Sequence, residues 1–203
     1  VEVSTRLIVN AAGVWSAGVL AEAGLDAEFS LIPSKGIHIL FSAERLPIEG
    51  ATFLRATNGK RGLAMRRLNY VYVGTTDDEY SGSLDRPRAT RSDVDEVLDM
   101  VSDCFPEQHL GYDDVLATWA GVRPLIREGT KSSRDTSRED AVWVSPPGLI
   151  TVAGGKLTTY RQMARRVLEL ADSDLGPAPG PPDRTATVPL PGAVVGPAGL
   201  EAY

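Results

Sequence analysis

One cysteine, Cys104, and two histidines, His38 and His109, are all that this 203-residue chain offers to a disulfide or a Cys/His metal cage. A single thiol excludes an intrachain disulfide and fits a reducing compartment. So few ligands fall short of the Cys/His sets that structural zinc uses. Cys104 sits among apolar positions of a helical pattern, which makes it core material rather than a nucleophile. No run reaches the roughly 18 apolar residues of a spanning helix, and the chain reads as having no signal peptide. Positive charge is in deficit: 21 Lys+Arg face 27 Asp+Glu, a formal net charge of -6. That balance argues against nucleic acid as the main partner. A starting methionine is lacking too. The chain begins at Val1, inside an expected strand, so a length that suits one or two domains is expected to belong to a piece of a longer protein.

What is present is ordinary globular material, 42% apolar and 24% charged. Residues 3–10 end in an apolar run and predict a buried strand. Ala11-Ala12-Gly13 then turns into a helix that carries Val14, Val19, Leu20, Ala23 and Leu25 and stops at Gly24. This is half of a βα nucleotide-binding unit. From residue 31 the texture becomes β, with strands expected over residues 37–41 and 51–56. A hairpin over 63–67 and 70–74 turns at Leu68-Asn69 and ends at residues 75–78. The 3–4 spacing of Val94, Val97, Leu98, Val101 and Phe105 predicts a helix over residues 90–105, with Ser92 as N-cap. Strands follow over residues 115–126, 141–145 and 149–153, the last two separated by Pro146-Pro147-Gly148. A second helix is expected over residues 156–171. Its stripe is Leu157, Tyr160, Ala164, Val167, Leu168 and Ala171, with Arg165/Glu169 at i,i+4 on the other face. Residues 176–199, rich in proline and glycine, read as an extended linker.

Three segments carry chemistry. In residues 149–160 a buried strand runs into Gly154-Gly155 and then a helix, so that unpaired N–H groups and a partial positive charge meet whatever lies at the turn. Such an end suits an anion, or a ring such as a flavin that gains negative charge on reduction, and Lys156 adds a full charge. The alternative is a plain strand–helix turn with a surface lysine. Arg123 stands in an apolar strand before Pro124, where a charge needs a partner. It either grips phosphate or carboxylate in a bidentate fashion or forms a structural salt bridge. His38 alternates with Ile37 and Ile39, so it faces the side opposite to them. There it is either a proton acceptor in a substrate cleft or a hydrogen-bonded structural histidine. Residues 131–138 form a basic loop in which Arg134 and Arg138 either serve an anionic ligand or are solvated. Asp77-Asp78 read as turn formers.

Five strings in this order, residues 10–15 (NAAGVW), 33–38 (PSKGIH), 74–77 (GTTD), 120–125 (AGVRPL) and 153–161 (AGGKLTTYR), resemble the FAD-dependent glycerol-3-phosphate dehydrogenases. The resemblance covers residues 6–192. It implies an α+β (α/β) fold of the glutathione-reductase/amino-acid-oxidase kind, in which a mixed β-sheet substrate domain with flanking helices joins part of a Rossmann-like FAD domain. Residues 1–30 would be the end of the FAD domain and 31–148 the substrate domain. Residues 149–172 would return to the FAD domain, and 173–203 would be the linker. The implied reaction is oxidation of glycerol 3-phosphate at C2 to dihydroxyacetone phosphate. FAD would accept the hydride, and electrons would pass to a quinone at the membrane.

The resemblance makes Arg123 the phosphate arginine, Lys156 a neighbour of both substrate and flavin, and His38 a substrate-pocket residue and candidate proton acceptor. Arg138 fits a second phosphate arginine, with Arg134 as the competing alignment. Ala12, Gly13 and Trp15 would lie by the ADP part of FAD, and Gly155, Lys156, Leu157 and Thr158 by its pyrimidine edge. No metal is implied. The location implied is cytoplasmic, at the inner face of the membrane, with peripheral attachment. The family's Gly-x-Gly-x-x-Gly turn and its C-terminal helical domain are not found in these residues, so the chain is expected to be inactive alone. The alternatives are a glycerol-3-phosphate oxidase or another FAD-dependent oxidase of the same fold, and a non-catalytic phosphate-ester binding module.

Overall fold

A computed structural model describes residues 2–27, 29–127, 139–145, 148–176 and 184–189. In chain order they form β1 (Ile8–Asn10), a 3₁₀ turn (Gly13–Trp15), α1 (Ser16–Glu22), β2 (Leu31–Ser42), β3 (Ala51–Arg55) and β4 (Arg61–Arg67). Then come β5 (Tyr70–Gly74), β6 (Asp78–Glu79), α2 (Arg91–Cys104), β7 (Ala117–Ile126), β8 (Asp140–Ser145), β9 (Leu149–Gly154), a 3₁₀ turn (Leu157–Thr159) and α3 (Tyr160–Leu175).

The larger sheet is built on β2, twelve residues long and longer than its central apolar alternation predicts. β7 pairs with one edge of β2 in antiparallel fashion. β5 and then β6 pair with the other edge, also antiparallel, with residues 75–77 as the break between them. β4 and β3 extend the sheet beyond β5. Alternation sorts the two faces. Ile37, Ile39, Phe41, Val71, Val73 and Ala64 are wholly buried on one of them. There they meet Val97, Met100 and Val101 of α2, each large aliphatic side chain contributing about 2 kcal/mol by leaving water. Cys104 packs against this cluster.

Helix α2 starts where its cap chemistry dictates. Thr90, not Ser92, is the N-cap: the Asp93 N–H donates to Thr90 Oγ1, and the Thr90 N–H donates back to Asp93 Oδ2. This reciprocal box satisfies two helix-end donors. Asp93 also takes the buried Lys35 ammonium at 2.6 Å, which ties the helix end to β2.

The smaller sheet has the order β1-β9-β8, with β1 parallel and β8 antiparallel to β9. Two expectations change here. Strand β1 is three residues long, and Ile8 and Val9 are exposed rather than buried, because only β9 flanks it among the described residues. Helix α3 buries Val167 and Ala171, with Met163 and Leu170 packed beside them. It leaves Leu157, Tyr160 and Leu168 exposed. The positive-φ pair Gly154–Gly155 and the extended Lys156 delay the α-helix to Tyr160, so Leu157 lies outside it. β8, inside the stretch read as substrate domain, is hydrogen-bonded to β9. Most of the expected linker lies outside the described residues, as does the Pro146-Pro147 part of the β8–β9 turn. No helix among the described residues is long and apolar enough to cross a membrane.

Candidate functional site

His38 and Arg123 come together because β2 and β7 run side by side. The register sets Ser34 opposite Arg123, Gly36 opposite Gly121 and His38 opposite Trp119. Directly paired residues share a face, so all six stand on the face turned away from the α2 core. His38 therefore faces as its alternation predicts.

The Arg123 guanidinium folds back across β2 over Gly36, where any Cβ would collide with it and with Thr75 Oγ1. Nη2 donates to Thr75 Oγ1 at 2.7 Å. Nη1 donates to the Thr76 carbonyl at 3.2 Å and to Asp77 Oδ1 at 3.4 Å. Asp77 Oδ1 also accepts from the buried Ser34 hydroxyl. The break between β5 and β6 thus supplies a socket for the arginine. Asp77, read in the sequence as a turn former, is part of that socket.

The half-buried His38 imidazole stacks on Trp119, with centroids 5.1 Å apart and planes 11° apart, and meets the Tyr72 ring edge-on at 6.1 Å. Gly74 leaves room for it, since a Cβ there would sit 2.5 Å from His38 Cδ2. Burial, and then the charge of Arg123, hold the imidazole below the ordinary 6.5. A lowered pKa favours the neutral imidazole, a form that can accept a proton.

The second half of the site is the carboxyl end of the parallel pair β1 and β9, the edge at which open α/β sheets bind ligands. Both strands lead into 3₁₀ turns there. Asn10 is buried and structural, donating to the Ser16 carbonyl and Thr151 Oγ1 and accepting from the Ala12 N–H. Gly13 has φ +59, with open space where a Cβ would stand, and Trp15 is half exposed. Gly154 and Gly155 have φ +76 and +77. The Gly155 N–H donates to the Glu139 carbonyl at 3.1 Å. Lys156 and Thr158 are exposed, and Leu157 is 88% exposed. Among the described residues no ion pair engages Lys156. Two backbone turns with exposed apolar side chains fit a flat, partly apolar cofactor with polar edges. β7 packs against both the Gly13–Trp15 turn and β9, which sets this edge beside the strand that bears Arg123.

Arg134 and Arg138 lie outside the described residues. Sequence reasoning missed Thr75, Asp77, Ser34, Tyr72 and Trp119. Only the register of β2, β5 and β7 brings them to His38 and Arg123, and no short motif carries that register. Among the described residues no His/Cys/Asp/Glu group has the makings of a metal site.

A parallel strand pair ending in two glycine-bearing turns, beside a mixed sheet that carries an arginine paired with Asp77, is the fold of the FAD-dependent oxidoreductases of the amino-acid-oxidase kind. The chain belongs to the FAD dependent oxidoreductase (DAO) family, which matches residues 1–161. It is 37% identical over 96% of its length to the aerobic glycerol-3-phosphate dehydrogenase of Bacillus subtilis (strain 168). It is 35% identical over 83% to that of Staphylococcus haemolyticus (strain JCSC1435). The matches cover 36% and 30% of those proteins, so the chain spans about a third of the curated relatives it matches. Among solved structures it resembles the FAD-complexed glycerol-3-phosphate dehydrogenase of Bacillus halodurans, at TM-score 0.76 and 34% identity. That likeness covers 85% of this chain and 33% of the other. Glycine oxidase from Geobacillus kaustophilus shares the fold, at TM-score 0.58 and 22% identity over 87% of this chain and 43% of the other. The expected fold class and family resemblance are borne out.

Proposed function

We propose that the protein to which this chain belongs oxidises glycerol 3-phosphate to dihydroxyacetone phosphate with FAD. The observation that carries this reading is the Arg123 guanidinium held over Gly36 on the same sheet face as a neutral His38. The likeness to aerobic glycerol-3-phosphate dehydrogenases supports the substrate.

Arg123 binds the phosphate, and its delocalised fork suits tetrahedral oxygens. Lys156, and Arg138 or Arg134, bring further positive charge to a dianion. His38 accepts the C2 hydroxyl proton at an imidazole nitrogen, and stacking on Trp119 keeps that ring in one plane. FAD, when bound, supplies the two-electron acceptor for the C2 hydride. Ala12, Gly13 and Trp15 would hold its ADP side. Gly155, Lys156, Leu157 and Thr158 would line its pyrimidine edge, where the exposed Leu157 side chain would exclude water. Its electrons would go on to a quinone, with the protein peripherally attached at the cytoplasmic side of the membrane.

The test is dye-coupled glycerol 3-phosphate oxidation by the full-length gene product, together with its flavin absorbance. Turnover that disappears without glycerol 3-phosphate is expected. A flavin-loaded protein that leaves this substrate untouched refutes the reading.

A further inference from the structure

We propose that Thr75 is the positioning residue for Arg123, setting the plane in which its guanidinium meets an anion. The inference rests on the reading of Arg123 as the phosphate-binding group.

The Thr75 hydroxyl has one proton and two acceptor sites. Its oxygen lies 3.0 Å from the Thr76 carbonyl oxygen, to which its proton is donated. That bond turns the oxygen's lone pairs outward. One of them accepts from Arg123 Nη2 at 2.7 Å. The Thr76 carbonyl accepts from Nη1 at 3.2 Å. Residues 75 and 76 therefore hold both terminal nitrogens, and a planar group held at two nitrogens cannot rotate about its long axis. Asp77 sits farther off, at 3.4 Å. Its Oδ1 is shared with the Ser34 hydroxyl, so it balances charge more than it fixes direction. Gly36 completes the device by leaving space for the guanidinium to lie flat across β2. Bidentate recognition depends on the plane of the fork as much as on its charge.

Thr75→Val keeps the shape and removes the acceptor, whereas Thr75→Ser keeps the hydroxyl. Both are made in the full-length gene product and assayed with glycerol 3-phosphate, with inorganic phosphate as competitor. A hydrogen bond to a charged group supports an effect of roughly ten-fold or more. Thr75→Val is expected to raise KM for glycerol 3-phosphate and Ki for inorganic phosphate together by that factor, with kcat within about two-fold, the signature of uniform binding. Thr75→Ser is expected to stay near wild type. Unchanged KM and Ki in Thr75→Val overturn the proposal, and so does a loss in Thr75→Ser equal to that in Thr75→Val, which would mark a role other than that of the hydroxyl. If Thr75→Val does not fold, Thr75→Ala against Thr75→Ser makes the same comparison. If the wild type fails to oxidise glycerol 3-phosphate, the proposed function falls separately. Calorimetric binding of inorganic phosphate then decides: equal affinity in wild type and Thr75→Val refutes the role of Thr75, and weaker affinity in Thr75→Val supports it.

Discussion

The guanidinium of Arg123 rests on the backbone of Gly36, in the space that any side chain at that position would fill. Two strands that pair through Ser34–Arg123 and Gly36–Gly121 thus carry a cation across their seam. Gly36→Ala forces the arginine out of its socket while adding one methyl group to an otherwise intact strand. KM for glycerol 3-phosphate is expected to rise at least ten-fold with a small change in Tm. Arg123→Ala is expected to raise KM further. Steady-state kinetics and thermal unfolding of the two variants test this, and an unchanged KM in Arg123→Ala would remove Arg123 from the phosphate site.

His38 provides a pH prediction. Its folded-state pKa lies below the ordinary 6.5, through burial first and Arg123 second. Below 6.5 the unfolded chain takes up a proton that folded His38 resists, so this group's contribution to stability falls as pH drops through that window. In the same direction kcat/KM should fall on an acid limb placed below 6.5, as the proton acceptor becomes charged. Arg123→Met removes one lowering influence, so the His38 pKa should rise. The chain has only two histidines, and NMR titration with His109→Gln as the assignment variant reads the value directly. A His38 pKa at or above 6.5 in the wild type contradicts the expectation.

Lys35 and Asp93 make a stability prediction away from the chemistry. Burial by itself would raise the Asp93 carboxyl, but the Lys35 ammonium and the Thr90 donors outweigh it and hold the group below its ordinary value. A depressed carboxylate stabilises the fold above its unfolded pKa, and that contribution is lost as pH falls through the folded value. Asp93→Ala strands a buried ammonium and opens the N-cap box of α2. The cost is expected to be about 3 kcal/mol at pH 7. Lys35→Met with Asp93→Ala should recover part of it, since no unpaired charge remains. Denaturant unfolding of the two variants measures both numbers.

Most of the architecture was legible from short-range pattern. The alternation of Ile37, Ile39 and Phe41 oriented β2 and turned His38 outward, and Leu68-Asn69 marked the β4–β5 hairpin. What escaped was set by contacts distant in sequence. The cap is an exception, since Thr90 and Asp93 form their box three residues apart and Lys35 only adds a second partner to Asp93 from 58 residues away. Asp77 looks like a turn residue until Ser34 and Arg123 converge on it from two strands. The buried face of α3, with Val167 and Ala171 beside Met163 and Leu170, is set by how the helix docks on the smaller sheet. Arg123 was found because it is a charge in an apolar strand; Thr75 and Trp119 carry no such local anomaly.

Gly155 offers the last test, on the cofactor side. Its φ of +77 is a conformation that L side chains rarely adopt, and a Cβ would stand 2.5 Å from Met163 Sδ and 3.1 Å from Asp140 Cβ. Alanine there meets two separate penalties, a left-handed backbone costing about 1–2 kcal/mol and a clash with a flexible thioether that can move aside. The backbone penalty is relieved by turning the peptide, which re-aims the N–H groups at the start of the Leu157–Thr159 turn. Gly155→Ala should therefore lower the flavin retained by the full-length protein on dilution, read as the ratio of flavin to protein absorbance. Adding Met163→Ala removes the clash but leaves φ unchanged, so flavin retention should stay low even as Tm partly recovers. Full flavin retention in Gly155→Ala would mean that this turn does not hold the pyrimidine edge.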